Sequence, residues 1–215
     1  MRSELAVMDT VFVLYENMTA LDLIGPYEVL AAHPAVTPHF AAARPGDVRC
    51  DNGLTLRADV SFAGAPDPDL IVVPGSSRWR AALADDELIG WLAAAHPAAT
   101  WTASVCTGST LLGRAGILTG RRATSHWAVR DTLAGYGAVP CAERVVIDGD
   151  VITGAGVSAG IDLALTLAAT LWGDPVAQAL QLALEYDPQP PFRSGTPEQA
   201  GPETVAAVLG ALAGT

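Results

Sequence analysis

The cysteine at position 106 is the residue whose type and surroundings most favour chemistry. Cys106 lies in the segment SVCTGS, residues 104–109, between an apolar stretch typical of a buried strand and a stretch typical of a helix. A nucleophile at such a tight turn works like the nucleophile elbow of hydrolases, although the Gly-x-Ser-x-Gly pattern is absent. The helix N-terminus is expected to lower the pKa of the Cys106 thiol and to favour the thiolate. The alternative is a buried, inert cysteine.

The acid at position 22 is the second candidate for a chemical role. Asp22 lies among apolar neighbours in LDLIGP, residues 21–26. Burying a carboxyl group is costly unless the group is paired or functional, so Asp22 is a candidate catalytic residue. The alternative is that Asp22 is the N-cap of a helix that begins near Gly25.

Four further residues are weaker candidates. Gly75 and Ser76 directly follow an apolar strand, and their backbone N–H groups are candidates for an oxyanion pocket, with a plain turn as the alternative. Thr107 either places a hydroxyl group near the thiolate or caps the following helix. His126, in the segment ATSHW, is a possible secondary site residue, and the alternative is a histidine packed in the core beside Trp127.

The strands predicted around these residues bring them to one edge of a sheet. Apolar, β-rich segments indicate buried strands at 10–15, 70–73 and 101–105, and each runs into a loop that holds candidate residues. Helical segments alternate with the strands, which predicts an α/β fold with a mostly parallel sheet flanked by helices on both faces. In such sheets ligands bind outside the carboxyl ends of the strands, so the three loops are expected to meet there.

Other segments complete this prediction. An Asp-Gly turn predicts a β-hairpin over 145–153, and alternating residues predict a half-exposed strand near a sheet edge over 54–59. The Pro-rich segment 186–202 is expected to extend over the surface, before a last helix at 203–212. Neither a repeat nor a linker is evident, so we expect residues 1–215 to form a single domain.

The charge of the chain excludes several classes of partner. All 12 basic residues are Arg, against 23 acidic residues, for a net charge of −11 and an isoelectric point near 4.6. Such an acidic protein is not expected to bind nucleic acid or an anionic membrane surface, and a small neutral molecule remains as the expected partner. Charged residues, Gly and Pro interrupt every apolar run before it reaches the length of a membrane span.

The cysteines and the N-terminus indicate a cellular compartment. Cys50, Cys106 and Cys141 are odd in number and lack CxxC spacing, which argues against a disulfide framework and against a zinc site, so no metal is expected. Cys50 and Cys141 lack the setting of Cys106 and are assigned no role. Residues 1–9 have no long apolar core, so no signal peptide is expected. A cytoplasmic protein follows from these points.

Several segments together resemble a known family. The chain is similar to the ThiJ/PfpI superfamily, whose fold is flavodoxin-like and class I glutamine amidotransferase-like, and within it to the bacterial isocyanide hydratases. The similarity runs from about Asp9 to about Val205. It is carried by the segments LDLIGP (21–26), SVCTGS (104–109), RATSHW (122–127), SAGIDLAL (158–165) and LEYDPQPPF (184–192).

The resemblance implies an activity and a set of roles. It implies hydration of an isocyanide to an N-substituted formamide through a thioimidate on Cys106, with Asp22 as the catalytic acid and Thr107 as a supporting hydroxyl. It also implies a homodimer and no cofactor. One difference concerns the loop after the second buried strand, where the hydratases have Gly-Gly and this chain has Gly75-Ser76. A side chain at Ser76 is expected to narrow or repolarise the pocket.

The resemblance also bears on other activities of the superfamily. Its peptidase-like members place a His directly after the nucleophile, where this chain has Thr107, and its glyoxalase-like members use a Glu opposite the cysteine. Its regulators carry an additional DNA-binding region. Two alternatives therefore stand beside a hydratase: a non-enzymatic cysteine-based sensor or binding protein of the same fold, and a glyoxalase-type hydrolyase.

Overall fold

The computed structural model describes residues 7–213. Its strands are β1 (Met8–Val13), β2 (Val36–Ala42), β3 (Gly46–Arg49), β4 (Thr55–Ala58), β5 (Val60–Ser61), β6 (Leu70–Val73), β7 (Trp101–Val105), β8 (Arg122–Ala123), β9 (Val139–Pro140), β10 (Val145–Asp148) and β11 (Val151–Gly154). Its α-helices are α1 (Ala20–Leu30), α2 (Trp79–Ala82), α3 (Asp86–Ala95), α4 (Gly108–Arg114), α5 (Ala159–Trp172), α6 (Asp174–Ala183), α7 (Pro197–Ala200) and α8 (Pro202–Ala213). The expectation of no signal peptide falls mainly on residues 1–6, which lie outside the described residues.

A seven-stranded sheet forms the centre of the fold, in the order β10-β11-β7-β6-β1-β2-β5. All neighbouring pairs are parallel except the edge hairpin of β10 and β11. The inner order β2-β1-β6-β7-β11 is the 2-1-3-4-5 order of flavodoxin-like folds. The predicted α/β fold with a mostly parallel sheet is therefore confirmed.

Helices cover both faces of this sheet. Helix α5 packs against α1 and α6 on one face, and α4 packs against α2 and α3 on the other. The inner strands are buried from both sides: every residue of β6 has no exposed surface, and the same holds for Val11, Phe12 and Val13 of β1. Burial on both faces explains why these strands appear in the sequence as unbroken apolar runs.

The structure departs from the predicted strands in one region. The segment 54–59 was expected at a sheet edge, but β4 pairs antiparallel with β3 in a separate two-stranded hairpin, and β5 takes the edge of the main sheet instead. Strand β3 has the sequence GDVR, which is too short and too polar to be recognised as a strand. The Pro-rich segment after α6 is exposed as expected, with α7 as its one regular turn among the described residues.

Among residues 7–213, no helix combines the length and the apolar character that a membrane span requires.

Candidate active site

The loops that follow β1, β6 and β7 meet at the carboxyl edge of the sheet. The backbone N–H of Thr19, in the first loop, donates to the carbonyl of Gly75 in the second at 2.8 Å. The N–H of Ser76 donates to Oγ1 of Thr107, in the third loop, at 2.8 Å. The chain leaves β1 towards β2 on one side and returns to β6 on the other, so this edge is where the strand order reverses and where α/β folds bind ligands.

Cys106 occupies a strained turn between β7 and α4. Its φ of 59° lies in the left-handed region, which residues other than glycine rarely adopt. Its N–H donates to the carbonyls of Gly154 and Ala155, at 3.1 and 2.9 Å. Its carbonyl accepts from Oγ of Ser125 at 2.9 Å and of Ser109 at 3.2 Å. The surrounding structure therefore holds an unfavourable backbone conformation at the residue predicted to be the nucleophile.

Close packing of the strand ends requires glycine after this turn. A Cβ atom at Gly108 would lie 2.4 Å from the carbonyl oxygen of Val73 and 2.9 Å from that of Pro74. The first turn of α4 thus lies directly against the end of β6. This contact brings Cys106 and the Gly75 loop together.

Asp22 lies in the first turn of α1 with no exposed surface. Helix α1 begins at Ala20, so Asp22 is not its N-cap, and that alternative is wrong. Its Oδ2 accepts a hydrogen bond from the N–H of Gly75 at 2.9 Å. Its Oδ1 is buried and has no hydrogen-bond partner among residues 7–213. One carboxyl oxygen is thus held by the backbone of the Gly75 turn, and the carboxyl group also interacts with the Cys106 thiol.

The Asp22 carboxyl and the Cys106 thiol form a buried pair in which each changes the pKa of the other. Burial raises the pKa of Asp22 to about 7; the N–H of Gly75 and the thiol of Cys106 oppose this rise, and the charge of Asp51 adds to it. Burial, and then the charge of Asp22, raise the pKa of Cys106 well above its ordinary value. At neutral pH the pair therefore retains at least one proton.

The expectation that the helix N-terminus lowers the pKa of Cys106 is wrong. The N–H groups of Val157 and Thr107 do stabilise the thiolate, as expected at such a turn. Cys106 is only 5% exposed, however, and the loss of hydration together with the neighbouring carboxyl group outweighs these hydrogen bonds.

The turn of Gly75 and Ser76 differs from the predicted oxyanion pocket. The N–H of Gly75 is used by Asp22 and that of Ser76 by Thr107, so both donors are engaged within the protein. The side chain of Ser76 donates to the carbonyl of Asn17 and accepts from the N–H of Arg78. It holds the loops together, and it does not carry a free hydroxyl group into the pocket.

The side chain of Thr107 bonds to the neighbouring loop and does not cap helix α4. Although it stands at the N-cap position of α4, its side chain makes no capping hydrogen bond. Its Oγ1 accepts from the N–H of Ser76 and donates to the carbonyl of Ser76 at 3.0 Å. The hydroxyl group therefore connects two loops of the site.

A pocket of about 540 Å³ opens above Cys106. Its lining includes Cys106, Thr107 and Ser76, the polar residues Asp51 and Asn52, and a rim formed by Arg78, Trp79 and Arg80. Val129, Val157, Leu209 and Leu212 add apolar surface, the last two from α8. The pocket has room for a small organic molecule with one end at the cysteine.

His126 belongs to the wall of this pocket and is half-buried. Its Nδ1 accepts from the N–H of Ala128 at 3.3 Å, and a Cβ atom at Gly156 would lie 2.7 Å from its ring. Burial lowers the pKa of His126, so the imidazole is neutral at neutral pH. The structure thus places His126 in the wall of the pocket. Its close contact with Gly156 also agrees in part with the alternative of a packed histidine.

Two residues near the site were not identified from the sequence. The hydroxyl group of Tyr15, at the end of the first buried strand, donates to the carbonyl of Pro74 at 2.8 Å and braces the Gly75 turn. Asp51 accepts from Oγ1 of Thr19 at 2.6 Å, and its Oδ1 is buried without a partner among the described residues. Asp51 follows Cys50 in a turn, and an acid at that position in sequence carries no signal of a site.

The fold and the site define an α/β protein with a cysteine at a strained strand-to-helix turn and a buried carboxyl group beside it. The chain belongs to the DJ-1/PfpI family, which it matches over residues 8–170. The predicted resemblance to the ThiJ/PfpI superfamily is therefore confirmed.

Comparison with individual proteins gives the degree of similarity. Isonitrile hydratase from Pseudomonas putida is 44% identical over 189 residues, which cover 88% of this chain and 83% of that protein. The crystal structure of a THiJ/PfpI family protein from Pseudomonas syringae has a TM-score of 0.94 and 36% identity, covering 97% of this chain and 87% of the other. The HTH-type transcriptional regulator CdhR from Pseudomonas aeruginosa is 34% identical over 142 residues, which cover only 42% of the regulator.

Proposed function

We propose that this protein is an isocyanide hydratase, a hydro-lyase that converts R–N≡C and water to an N-substituted formamide. The observation that carries the proposal is the pairing of the Cys106 thiol with a carboxyl group whose Oδ1 is unbonded among the described residues. The 44% identity with the isonitrile hydratase of P. putida, over most of both chains, supports the same reaction.

The first half of the reaction uses the proton that the pair shares. Transfer of this proton from sulfur to Oδ1 of Asp22 gives a thiolate beside a carboxylic acid. The thiolate attacks the terminal carbon of R–N≡C and forms a C–S bond, while Asp22 gives its proton to the same carbon. The product is the thioimidate R–N=CH–S on Cys106, and Asp22 is left as a carboxylate.

The second half restores both groups. The Asp22 carboxylate takes a proton from water, whose hydroxide adds to the thioimidate carbon, and this proton then passes to the nitrogen. The tetrahedral adduct R–NH–CH(OH)–S collapses as the C–S bond breaks and Asp22 accepts the hydroxyl proton. Formamide leaves, and the site again holds a thiolate and a carboxylic acid. In this scheme Gly75 and Thr107 position the reacting groups, and the engaged N–H groups of Gly75 and Ser76 do not bind the substrate.

The electrostatics disfavour the sensor alternative. An oxidation sensor needs a thiolate that forms easily and is accessible to oxidant. The raised pKa of Cys106 and its 5% exposure oppose both requirements. The same properties suit a nucleophile that is activated only through Asp22.

We also infer that two copies of the chain form a homodimer. Leu182, near the end of α6, is 80% exposed, and Phe192, between α6 and α7, is 77% exposed. Large apolar side chains so exposed are typical of surfaces that another chain covers.

Ala177 and Leu180 of α6 pack in the same core as the sheet, which supports a single domain. The free thiols of all three cysteines support a cytoplasmic location.

A direct assay tests the proposed reaction. Wild type is incubated with cyclohexyl isocyanide, and formamide is measured by chromatography; a parallel sample receives methylglyoxal, and lactate is measured. We expect formamide from wild type and from the control Cys141→Ala, and none above background from Cys106→Ala. Lactate without formamide would support a glyoxalase. Neither product from any isocyanide tested, with ready oxidation of Cys106 to the sulfinate, would support a sensor.

A further inference from the structure

The rim of the pocket carries two arginines on the loop and short helix that follow β6. Arg78 and Arg80 both line the pocket and are exposed, whereas Cys106 lies 5% exposed at its base. The two guanidinium groups therefore lie towards the opening of the pocket, and the reactive pair lies at its inner end.

Neutral groups hold both guanidinium groups in place. Nη1 of Arg78 lies 3.4 Å from Oδ1 of Asn17, and Cζ of Arg80 lies 4.4 Å from the centre of the Trp79 ring. Among the described residues, neither arginine has a carboxylate within 4.0 Å. Six other arginines are paired with acids, namely Arg57, Arg114, Arg121, Arg122, Arg130 and Arg144, whereas Arg44, Arg49 and Arg193 lie outside the pocket and also have no such pair among the described residues.

What sets Arg78 and Arg80 apart is that both line the same pocket, in a chain whose net charge is −11. The acid that shares the pocket, Asp51, is half-buried and is engaged by Oγ1 of Thr19 and the N–H of Ser77. Asp51 is the one acid among the described lining residues, against the two arginines, and its charge acts on Asp22. The rim is positive, although the molecule as a whole is negative.

We propose that the substrate is an isocyanide that carries a carboxylate, with an apolar group between or beside the two functions. This inference rests on the proposed hydration of isocyanides. The isocyano carbon reaches Cys106, the carboxylate binds the guanidinium groups of Arg78 and Arg80, and the apolar part contacts Trp79 and the leucines of α8. Paired, charge-assisted hydrogen bonds make arginine well suited to a carboxylate. The product of such a substrate is an N-formyl amino acid.

A matched pair of substrates tests this specificity. Isocyanoacetate and 3-isocyanopropanoate are compared with their methyl esters, which keep the isocyano group and lose the charge. We expect wild type to favour at least one acid over its ester in kcat/KM by about tenfold or more, the scale of a charged hydrogen bond. High salt should reduce the preference, because the rim is exposed and its charges are screened.

The variants are Arg78→Gln, Arg80→Gln and, as a matched control, Arg44→Gln. Arg44 is exposed, lies outside the pocket and also lacks a carboxylate partner among the described residues. The ratio of kcat/KM for acid over ester should fall about tenfold in Arg78→Gln or Arg80→Gln and stay at the wild-type value in Arg44→Gln. An acid-to-ester ratio near one in wild type, with the esters turned over, overturns the carboxylate specificity and leaves the hydratase function intact.

Binding measured without turnover separates this inference from the proposed reaction. N-formylphenylalanine, as the anion, is titrated into each protein by calorimetry beside its methyl ester. Tighter binding of the anion, lost in Arg78→Gln or Arg80→Gln and kept in Arg44→Gln, supports the anion site even if no isocyanide is hydrated. Equal binding of anion and ester, or no binding of either, overturns it.

Discussion

At the scale of single residues, the pair of Cys106 and Asp22 behaves differently from either residue alone. The sequence identified both, because a cysteine at a strand-to-helix junction and an acid among apolar neighbours are unusual settings. Its prediction of a lowered pKa for Cys106 was wrong, since protonation depends on how completely the fold removes water from both groups. A pKa of about 7 for Asp22 and a pKa for Cys106 well above its ordinary value describe two groups that share a proton near neutral pH.

This shared proton predicts how activity depends on pH. Below about pH 7 the Asp22 carboxyl and the Cys106 thiol are both protonated, and the pair has no thiolate to offer. Above that pH the pair holds one proton, which can move from sulfur to Asp22, until the thiol itself ionises at much higher pH. We expect kcat/KM for a neutral isocyanide to rise with pH through an apparent pKa near 7 and then level off. A profile already flat from pH 5 to pH 8 would show that this pair does not control the reaction.

At the scale of elements, the turn between β6 and α2 organises the site. Its Gly75 donates to Asp22, its Ser76 is bonded to Thr107, and Tyr15 braces it from below. The apolar runs in the sequence predicted the strands that lead to this edge, and they predicted that the loops after these strands meet there. The sequence could not predict that the N–H groups of Gly75 and Ser76 bond to Asp22 and Thr107, because it does not show which acceptor a backbone donor will find.

Adding a single methyl group at this turn, in Gly75→Ala, is expected to lower activity strongly. A Cβ atom at Gly75 would lie 2.5 Å from the N of Thr107 and 2.9 Å from Oδ2 of Asp22. Gly75→Ala must therefore displace Asp22 or the elbow, and we expect kcat/KM to fall about 100-fold. The control is Gly90→Ala in α3, where a Cβ atom meets nothing within 4 Å and helix propensity favours Ala.

Both variants are followed by thermal unfolding as well as by kinetics. Gly90→Ala should keep wild-type kcat/KM and melt at the same or a slightly higher temperature. Full activity in a folded Gly75→Ala would show that close packing at this turn is not needed for catalysis.

At the scale of the whole molecule, the fold class followed from the alternation of buried strands and helices. The net charge of −11 is an average over the chain, and it does not show that Arg78 and Arg80 place local positive charge at the pocket. Strand β3, the pairing of β4 with it, and the short strands β8 and β9 escaped prediction. Strands β3, β8 and β9 have from two to four residues each, too few for a periodic pattern.

Two exposed apolar side chains, on α6 and between α6 and α7, predict the assembly state. Leu182 and Phe192 leave large apolar surfaces uncovered in one chain. We expect light scattering to give the mass of two chains, and Leu182→Asp or Phe192→Asp to shift the equilibrium towards one chain, because each would bury a charge in the interface. A monomeric wild type at micromolar concentration would contradict the dimer.

The measurement that tests the account most directly compares the activity and the thiol reactivity of Asp22→Asn. Asn keeps the shape of Asp22 and can still accept from the N–H of Gly75, but it can neither deliver a proton to the isocyanide carbon nor activate water. The loss of a general acid–base group lowers rates by about 100- to 10,000-fold, so formamide production should fall at least ~100-fold. Removing the carboxylate also removes a charge that raises the pKa of Cys106, so the thiol should react with iodoacetamide at least as fast as in wild type. We predict that Asp22→Asn loses formamide production and that its Cys106 is alkylated at the wild-type rate or faster. Asp22→Asn that hydrates isocyanide within a few fold of wild type would contradict the shared role of Asp22 and Cys106.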